Sequence, residues 1–327
     1  MTLSISTVDL SIIIPVFNNL TQTQNMLVSL LNTLPQSLSV EVIIVDDAST
    51  DDTSTWLAGL NHTDLALSKI KSLRILRNTQ NLGYAKSNNF AAKEARGEIL
   101  ALLNNDLVLK SGWLEPMLAM FEQYPSKPII VGNLQYQPDT NELDHAGFEV
   151  RINLESNRPV IEHRRELICT EPVIVFAVTG ACCLIARKTF ETLGGFDEEY
   201  INGGEDVDLC LKVTQAGGAC WVVPVSRVWH HVSQTRGQQK DRDEKNSWRI
   251  FKLWHKQIAY ELERSCAALF ANAAHEDPLA KRMAADFISG SRSLAPMAVK
   301  VMAQKYVEAE LACWEKHFHS NAHTRSG

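Results

Sequence analysis

The carboxylates of this sequence gather where strand-like patterns stop. Glu98-Ile-Leu-Ala-Leu-Leu103 is an apolar run that ends abruptly in Asn104-Asn105-Asp106. Open α/β sheets bind ligands at the carboxyl ends of their strands, which puts Asp106 at a ligand edge. One hard carboxylate there, beside a diphosphate, suits Mg²⁺ or Mn²⁺. The same three polar residues also make an ordinary turn closing a strand. Val40-Glu-Val-Ile-Ile-Val45 breaks in the same way into Asp46-Asp47. In a parallel sheet Asp46, Asp47 and Asp106 therefore reach one edge. A nucleotide bound there needs an acceptor for a base N–H, and Asp47 supplies one. Gly83 lets backbone approach closely, while Asn81 and Asn88 can donate or accept. The competing reading makes Asp46 and Asp47 helix caps, a task Ser49 and Asp51 perform equally well, and Asn88 a plain polar helix face.

A second acidic group, Gly203-Gly204-Glu205-Asp206-Val-Asp208, reads as a loop turning into a helix. A carboxylate in a first helical turn is favoured by the helix dipole, stays ionised and can take a proton. Asp206 is thus a candidate general base for an attacking hydroxyl, set against the common acidic first turn. Asp208 faces away from it and reads as surface or support. His230 closes another strand pattern; imidazole suits Mn²⁺ and other transition ions better than Mg²⁺. His231 is its neighbour and competitor.

The elements that must position these residues follow in order. Leu10–Pro15, Val40–Val45, Leu73–Leu76 and Glu98–Leu103 are predicted strands. Between them run helices: from Asn19 or Thr21 to Leu34, one around Trp56, and one from the Asn81-Leu-Gly83-Tyr84 loop to a stop at Gly97. Such alternation implies a parallel, doubly wound sheet. Trp113 opens a helix to about Tyr124, and Ile129–Val131 is a further strand. Residues 133–172 carry short strand and turn signals, among them Asp144-His145-Ala-Gly147. Val173–Ala186 is β-rich around Thr179-Gly180-Ala181. A short helix ends at Gly194-Gly195, the acidic helix stops at Gly217-Gly218, and Trp221–Val223 is a last strand. From about Gln234 glycine nearly vanishes, and Trp248, Phe251, Trp254 and Ile258 recur at helical spacing. Residues 1–235 are read as one domain and 236–327 as a helical region, punctuated at Asp277-Pro278 and Gly290.

A chain of 327 residues, 45% hydrophobic and 21% charged, is ordinary for a globular protein. Its formal net charge of −6 gives no basic field for nucleic acid. The seven cysteines are scattered without a C-x-x-C pair and read as reduced thiols in a cytoplasmic protein. No secretory leader and no membrane-spanning run are expected.

The ordered set is more specific than its parts. Ile-Ile-Pro15-Val-Phe-Asn18, Val45-Asp46-Asp47-Ala-Ser49-Thr-Asp51, Asn81-Leu-Gly83-Tyr84-Ala85-x-x-Asn88, Leu103-Asn-Asn-Asp106, Gly194-Gly195-Phe196-Asp197-Glu198, Gly204-Glu205-Asp206-Val-Asp208-Leu and Trp229-His230-His231-Val-Ser233 occur in that order. This resembles the family-2 inverting glycosyltransferases of the GT-A fold, and is most similar to their rhamnosyl- and galactofuranosyltransferase-like branch. The likeness covers about residues 8 to 260. It implies an α/β fold: a Rossmann-like, mixed, mostly parallel sheet flanked by helices, with a C-terminal helical appendage.

The resemblance implies roles as well. Pro15, Phe17, Asn18, Asp46 and Asp47 would line the nucleoside site, with Asn81, Gly83, Asn88 and Asn105 beside it. Asp106 matches the last carboxylate of the family's Asp-x-Asp motif; Asn104 stands where many members have the first. His230 would complete the metal site for Mn²⁺ or Mg²⁺. Asp206 matches the base, and Trp113, Gly180, Ala181 and Glu205 fall on the acceptor side. The expected substrates are a UDP- or dTDP-linked sugar and a glycan or lipid-linked glycan acceptor in bacterial surface polysaccharide synthesis. Work at the inner face of the membrane, peripheral membrane contact and self-association through the C-terminal helices stay open. Two alternatives are a sugar nucleotidyltransferase, which the glycine-free Pro15-Val-Phe-Asn-Asn19 loop opposes, and a degenerate sugar-nucleotide-binding scaffold.

Overall fold

The computed structural model describes residues 8–60, 70–153, 155–231, 240–273 and 297–323. Its first half alternates strands and helices: β1 (Leu10–Val16), α1 (Leu20–Thr33), β2 (Val40–Asp46), α2 (Thr53–Gly59), β3 (Ser72–Arg77), α3 (Tyr84–Glu94) and β4 (Ile99–Leu103). The four strands lie parallel in the order β3-β2-β1-β4. β1 and β2 are buried almost throughout because layers cover both faces, which is why they are rich in Val and Ile without strict alternation, the buried Ser11 and Glu41 apart. α1 lays Met26, Leu27, Leu30 and Leu31 on the sheet, joining the core of Ile12, Ile14, Val42, Ile44 and Leu103. The register sets Val16 opposite Asp46 and Asp46 opposite Arg77, so the carboxyl ends come level.

The second half supplies β5 (Leu107–Leu109), α4 (Glu115–Gln123), β6 (Ile129–Tyr136), β7 (Leu143–His145), β8 (Phe148–Asn153), β9 (Arg158–His163), β10 (Val173–Val175), β11 (Cys182–Ala186), α5 (Arg187–Thr192), α6 (Glu205–Gln215) and β12 (Ala219–His230). Among the described residues the main sheet has ten strands, with the path β10-β12-β6-β11-β4-β1-β2-β3 and with β5 and β7 paired to β12 and β6. β11 runs antiparallel between β4 and β6, and β6 pairs parallel with β12. The sheet is thus mixed and mainly parallel.

Some expectations shift. Gly97 is not the stop of α3: the helix ends at Glu94, and Ala95 is already extended. Gly97 instead packs on β1, where a Cβ would stand 2.4 Å from the Ser11 nitrogen. Trp113 precedes α4 rather than opening it. β5 follows directly on Asp106. β12 runs through Pro224 to His230, taking a register shift between Val223 and Arg227.

The chain divides into two compact units. The first holds the described residues through Phe148 and from His163 to His231. The second holds Glu149–Glu162 with α7 (Lys240–Ala273) and α8 (Met297–His323). In the second, Phe251, Trp254 and Ile258 are buried, and Trp254 breaks α7 with φ −121°. The division expected between residues 235 and 236, Ser233, and the breaks at Asp277 and Gly290 lie outside the described residues. Among the described residues no helix is long and apolar enough to cross a membrane.

Candidate active site

Asn104–Asp106 form the turn between β4 and β5. The antiparallel pairing of β5 with β12 puts Leu107 opposite His230, and the His231 N–H donates to the Asp106 carbonyl at 3.0 Å. Backbone pairing thereby brings together side chains more than a hundred positions apart. His230 Nε2 lies 3.1 Å from Asp106 Oδ1 and 3.3 Å from Asn104 Nδ2. Asp106 Oδ1 is buried and receives no hydrogen bond among the described residues. A buried carboxylate oxygen without a donor, against an imidazole nitrogen, fits a divalent cation. Among the described residues no cluster of three His, Cys, Asp or Glu side chains forms a metal cage. The chain itself offers a pair, and phosphates and water complete such sites for Mg²⁺-like ions. His231 is exposed and contributes its backbone.

Asn105 turns the other way, donating to Thr23 Oγ1 at 2.9 Å and to the Asn18 carbonyl at 3.4 Å. Asn18, left-handed at φ 58°, ties the end of β1 to the segment after β2. Its N–H donates to Ser49 Oγ, and its Oδ1 accepts from the Thr50 N–H at 2.7 Å. Phe17 beside it stays 43% exposed, and Pro15 is half-buried in β1.

The two strand-end aspartates diverge. Asp46 Oδ1 accepts from the Ser49 N–H at 2.8 Å and Oδ2 accepts from Ser54 Oγ, so Asp46 closes its own turn onto α2. Asp47 is buried and organises the loop before α3. Its Oδ1 accepts from Asn78 Nδ2 (2.7 Å) and the Leu82 N–H (2.8 Å), and its Oδ2 from the Gly83 N–H (2.8 Å). A carboxylate has about four acceptor positions, so a position on Oδ2 is left for a ligand. Asn81 is exposed on that loop. Asn88 is buried; its amide donates to the Tyr84 carbonyl at 2.9 Å, and its Oδ1 has no donor among the described residues.

Asp206 sits in the first turn of α6. Its Oδ2 accepts from the Gly180 N–H at 3.0 Å and its Oδ1 from the Val207 N–H at 2.9 Å. The next residue, Ala181, accepts the Asn104 N–H at 2.8 Å. A chain of contacts therefore runs from Asp206 through Gly180-Ala181 to the turn bearing Asp106 and on to His230. Glu205 is buried, and its Oε2 accepts from the Gly203 N–H at 2.7 Å.

Two expectations need correction. Trp113, expected on the acceptor side, is 0% exposed. Its Nε1 donates to Thr33 Oγ1 at 3.2 Å, and it belongs to the core that α1 covers, so no acceptor touches it. Asp208 is not a surface residue: it is buried and paired with Lys212 at 2.7 Å, one helical turn on.

Two other organising residues, Tyr84 and Asn89, are given no role by sequence. Tyr84 donates its phenol to the Gly180 carbonyl at 2.6 Å. Burial, then Cys183, Glu205 and Asp206 around it, push this phenol well above the usual tyrosine range. Asn89 clamps Phe196, accepting from its N–H and donating to its carbonyl at 3.0 and 2.9 Å. Consecutive asparagines early in a helix were the available hint, since Asn is a poor helix former that earns its place through partners.

The Glycosyl transferase family 2 model matches residues 11–194. A Sinorhizobium fredii (strain NBRC 101917 / NGR234) protein described as uncharacterized protein y4gI is 31% identical over 253 residues, 73% of this chain and 26% of its own length. Polypeptide N-acetylgalactosaminyltransferase 4 of Caenorhabditis elegans is 28% identical over 260 residues, 75% of this chain and 42% of its own. The chain thus spans less than half the length of each of these two curated relatives. Among solved structures, GalNAc-T7 with UDP, GalNAc and Mn²⁺ superposes with a TM-score of 0.63 at 20% identity, covering 80% of this chain and 51% of that one. That last likeness is one of fold.

Proposed function

The chain belongs to glycosyl transferase family 2 and has the GT-A fold, and from that premise we propose that it transfers a sugar from a nucleoside diphosphate to an acceptor hydroxyl with inversion. The observation that carries the reading is the linkage of the Asp106–His230 pair to the Asp206 carboxylate through Gly180-Ala181. Asp47, Asn18 and Phe17 receive the nucleoside at the strand ends. Asp106 and His230 would hold a divalent cation, which when bound would offset charge developing on the leaving diphosphate. Support for a cation comes from the orphaned Asp106 oxygen and from the Mn²⁺ of GalNAc-T7.

Asp206 takes the proton of the acceptor hydroxyl. The oxygen attacks the anomeric carbon from the face opposite the diphosphate, and the anomeric C–O bond breaks with its electron pair leaving on the phosphate. One displacement inverts the centre. Asp206 suits the task because each oxygen is held by a backbone N–H and still has lone pairs to spare.

The finer reading is a UDP- or dTDP-linked rhamnosyl or galactofuranosyl donor and a glycan or lipid-linked glycan acceptor of bacterial surface polysaccharide. Its support is the motif order, Asn104 included. The test is turnover of a panel of nucleotide sugars with Mn²⁺, with and without chelator. Release of nucleoside diphosphate that stops with chelator supports the reading. Pyrophosphate formed from a sugar 1-phosphate and a nucleoside triphosphate would replace it with nucleotidyl transfer.

A further inference from the structure

Tyr84 bridges the two halves of this site. It is the first residue of α3. The two N–H groups before it, of Leu82 and Gly83, are both held by the Asp47 carboxylate. Its own N–H donates to Asn202 Oδ1 at 3.0 Å. At the far end of the side chain, the phenol donates to the Gly180 carbonyl, and the ring packs on Phe196 with centroids 5.5 Å apart. Gly180 is also the residue whose N–H holds Asp206. The fit is tight: a Cβ on Gly180 would stand 2.9 Å from the phenolic oxygen. One stiff aromatic side chain thus runs from the loop pinned by Asp47 to the residue that orients Asp206.

We propose that Tyr84 is a positioning residue for transfer: through Gly180 it fixes the direction of the Asp206 carboxylate relative to the nucleoside side. The proposal rests on the reading of Asp206 as the base. Gly180 is buried and gripped at both ends, by Asp206 at its N–H and by Tyr84 at its carbonyl. Without the phenol, the buried carbonyl loses that donor and the segment moves to find another. The N–H then leaves the Asp206 carboxylate, which becomes less stable as an anion. Because its phenol is held well above the usual range, Tyr84 stays a donor through neutral pH. The other titratable groups near Asp206 are Glu205 and Cys210 on its own helix and Cys183 on β11; burial pushes both thiols up, so they stay neutral.

Tyr84→Phe keeps the ring and its contact with Phe196 and removes only the hydroxyl. The expected result is a kcat lower by about tenfold or more with donor KM little changed. The acid limb of kcat against pH should move to higher pH, and Tm should fall by no more than a few degrees, as expected for one lost buried hydrogen bond. Gly180→Ala, which crowds the phenolic oxygen without deleting a polar group, should give the same fall in kcat and the same move of the acid limb, with Tm lowered as well by the overpacking. Asp206→Asn is measured beside them. If Asp206→Asn keeps full turnover, the base is misassigned and the role of Tyr84 falls with it. If Asp206→Asn is inactive while Tyr84→Phe keeps the parent kcat and pH profile, the base stands and the Tyr84 proposal alone is overturned. A Tyr84→Phe loss of kcat that follows a fall in Tm, with the acid limb unmoved, makes the residue merely structural and overturns it too.

Discussion

Asp206→Asn removes basicity but keeps an oxygen that can accept the Gly180 N–H. General-base catalysis contributes about 10²–10⁴-fold, so kcat should fall by that order while a bound donor still raises Tm as it does in the parent. Asp106 and His230 are tested through the ion. Losing even an outer-shell partner typically weakens metal binding by about 10–100-fold, so His230→Ala should weaken Mn²⁺ binding at least as much, measured by titration without substrate. Unchanged Mn²⁺ affinity would remove His230 from the site. The same scale shows what local spacing conceals. Asp106 was visible as a strand-end carboxylate, and Asp206 as an acid opening a helix. Trp113 misled, since its type alone does not say which face covers it; Thr33 and Ser226, far off in sequence, engage it. Tyr84 and Asn89 act on partners near residues 180 and 196, which no short motif contains.

Elements place these residues by register, and one tight junction is that of β1 with the segment entering β4. The Gly97 N–H donates to Ser11 Oγ at 2.7 Å, Ser11 Oγ donates to the buried Glu41 carboxylate, and Arg74 pairs with Glu41 at 2.9 Å. Gly97→Ala would drive a Cβ into the Ser11 backbone. Overpacking of this kind costs about 1–3 kcal/mol, so Tm should drop, and an unchanged Tm would refute the packing described. The parallel β3-β2-β1-β4 array was readable because its strands are short segments rich in Ile, Val and Leu separated by helical periods. β5 was not: three residues are too few to show a period. The length of β12 was hidden by Pro224, which the register shift accommodates.

At the scale of the whole molecule, each unit has its own account of stability. In the second, Arg158 grips the buried Glu310 with Nε and an Nη, both at 2.6 Å. Burial pushes the Glu263 carboxyl above its ordinary value, and Lys300 pulls it partly back. The folded state therefore holds that proton more tightly than the unfolded chain, and the carboxyl costs stability as pH rises from the ordinary glutamate range of about 4.3. Glu263→Gln should accordingly raise Tm at pH 7 relative to the parent and lose that advantage near pH 4, followed by thermal melts at both values. In the first unit, several of the grips that assemble the site share one trait. Asp47 holds the amides of Leu82 and Gly83, Asp206 that of Gly180, Asn104 the oxygen of Ala181, and Tyr84 the oxygen of Gly180. Peptide groups are the same whatever side chain they carry. The half-buried Leu82 can thus change its side chain over evolution without loosening the hold of Asp47 on its amide, and a lineage can reshape the surface of that loop while the machinery underneath stays in place.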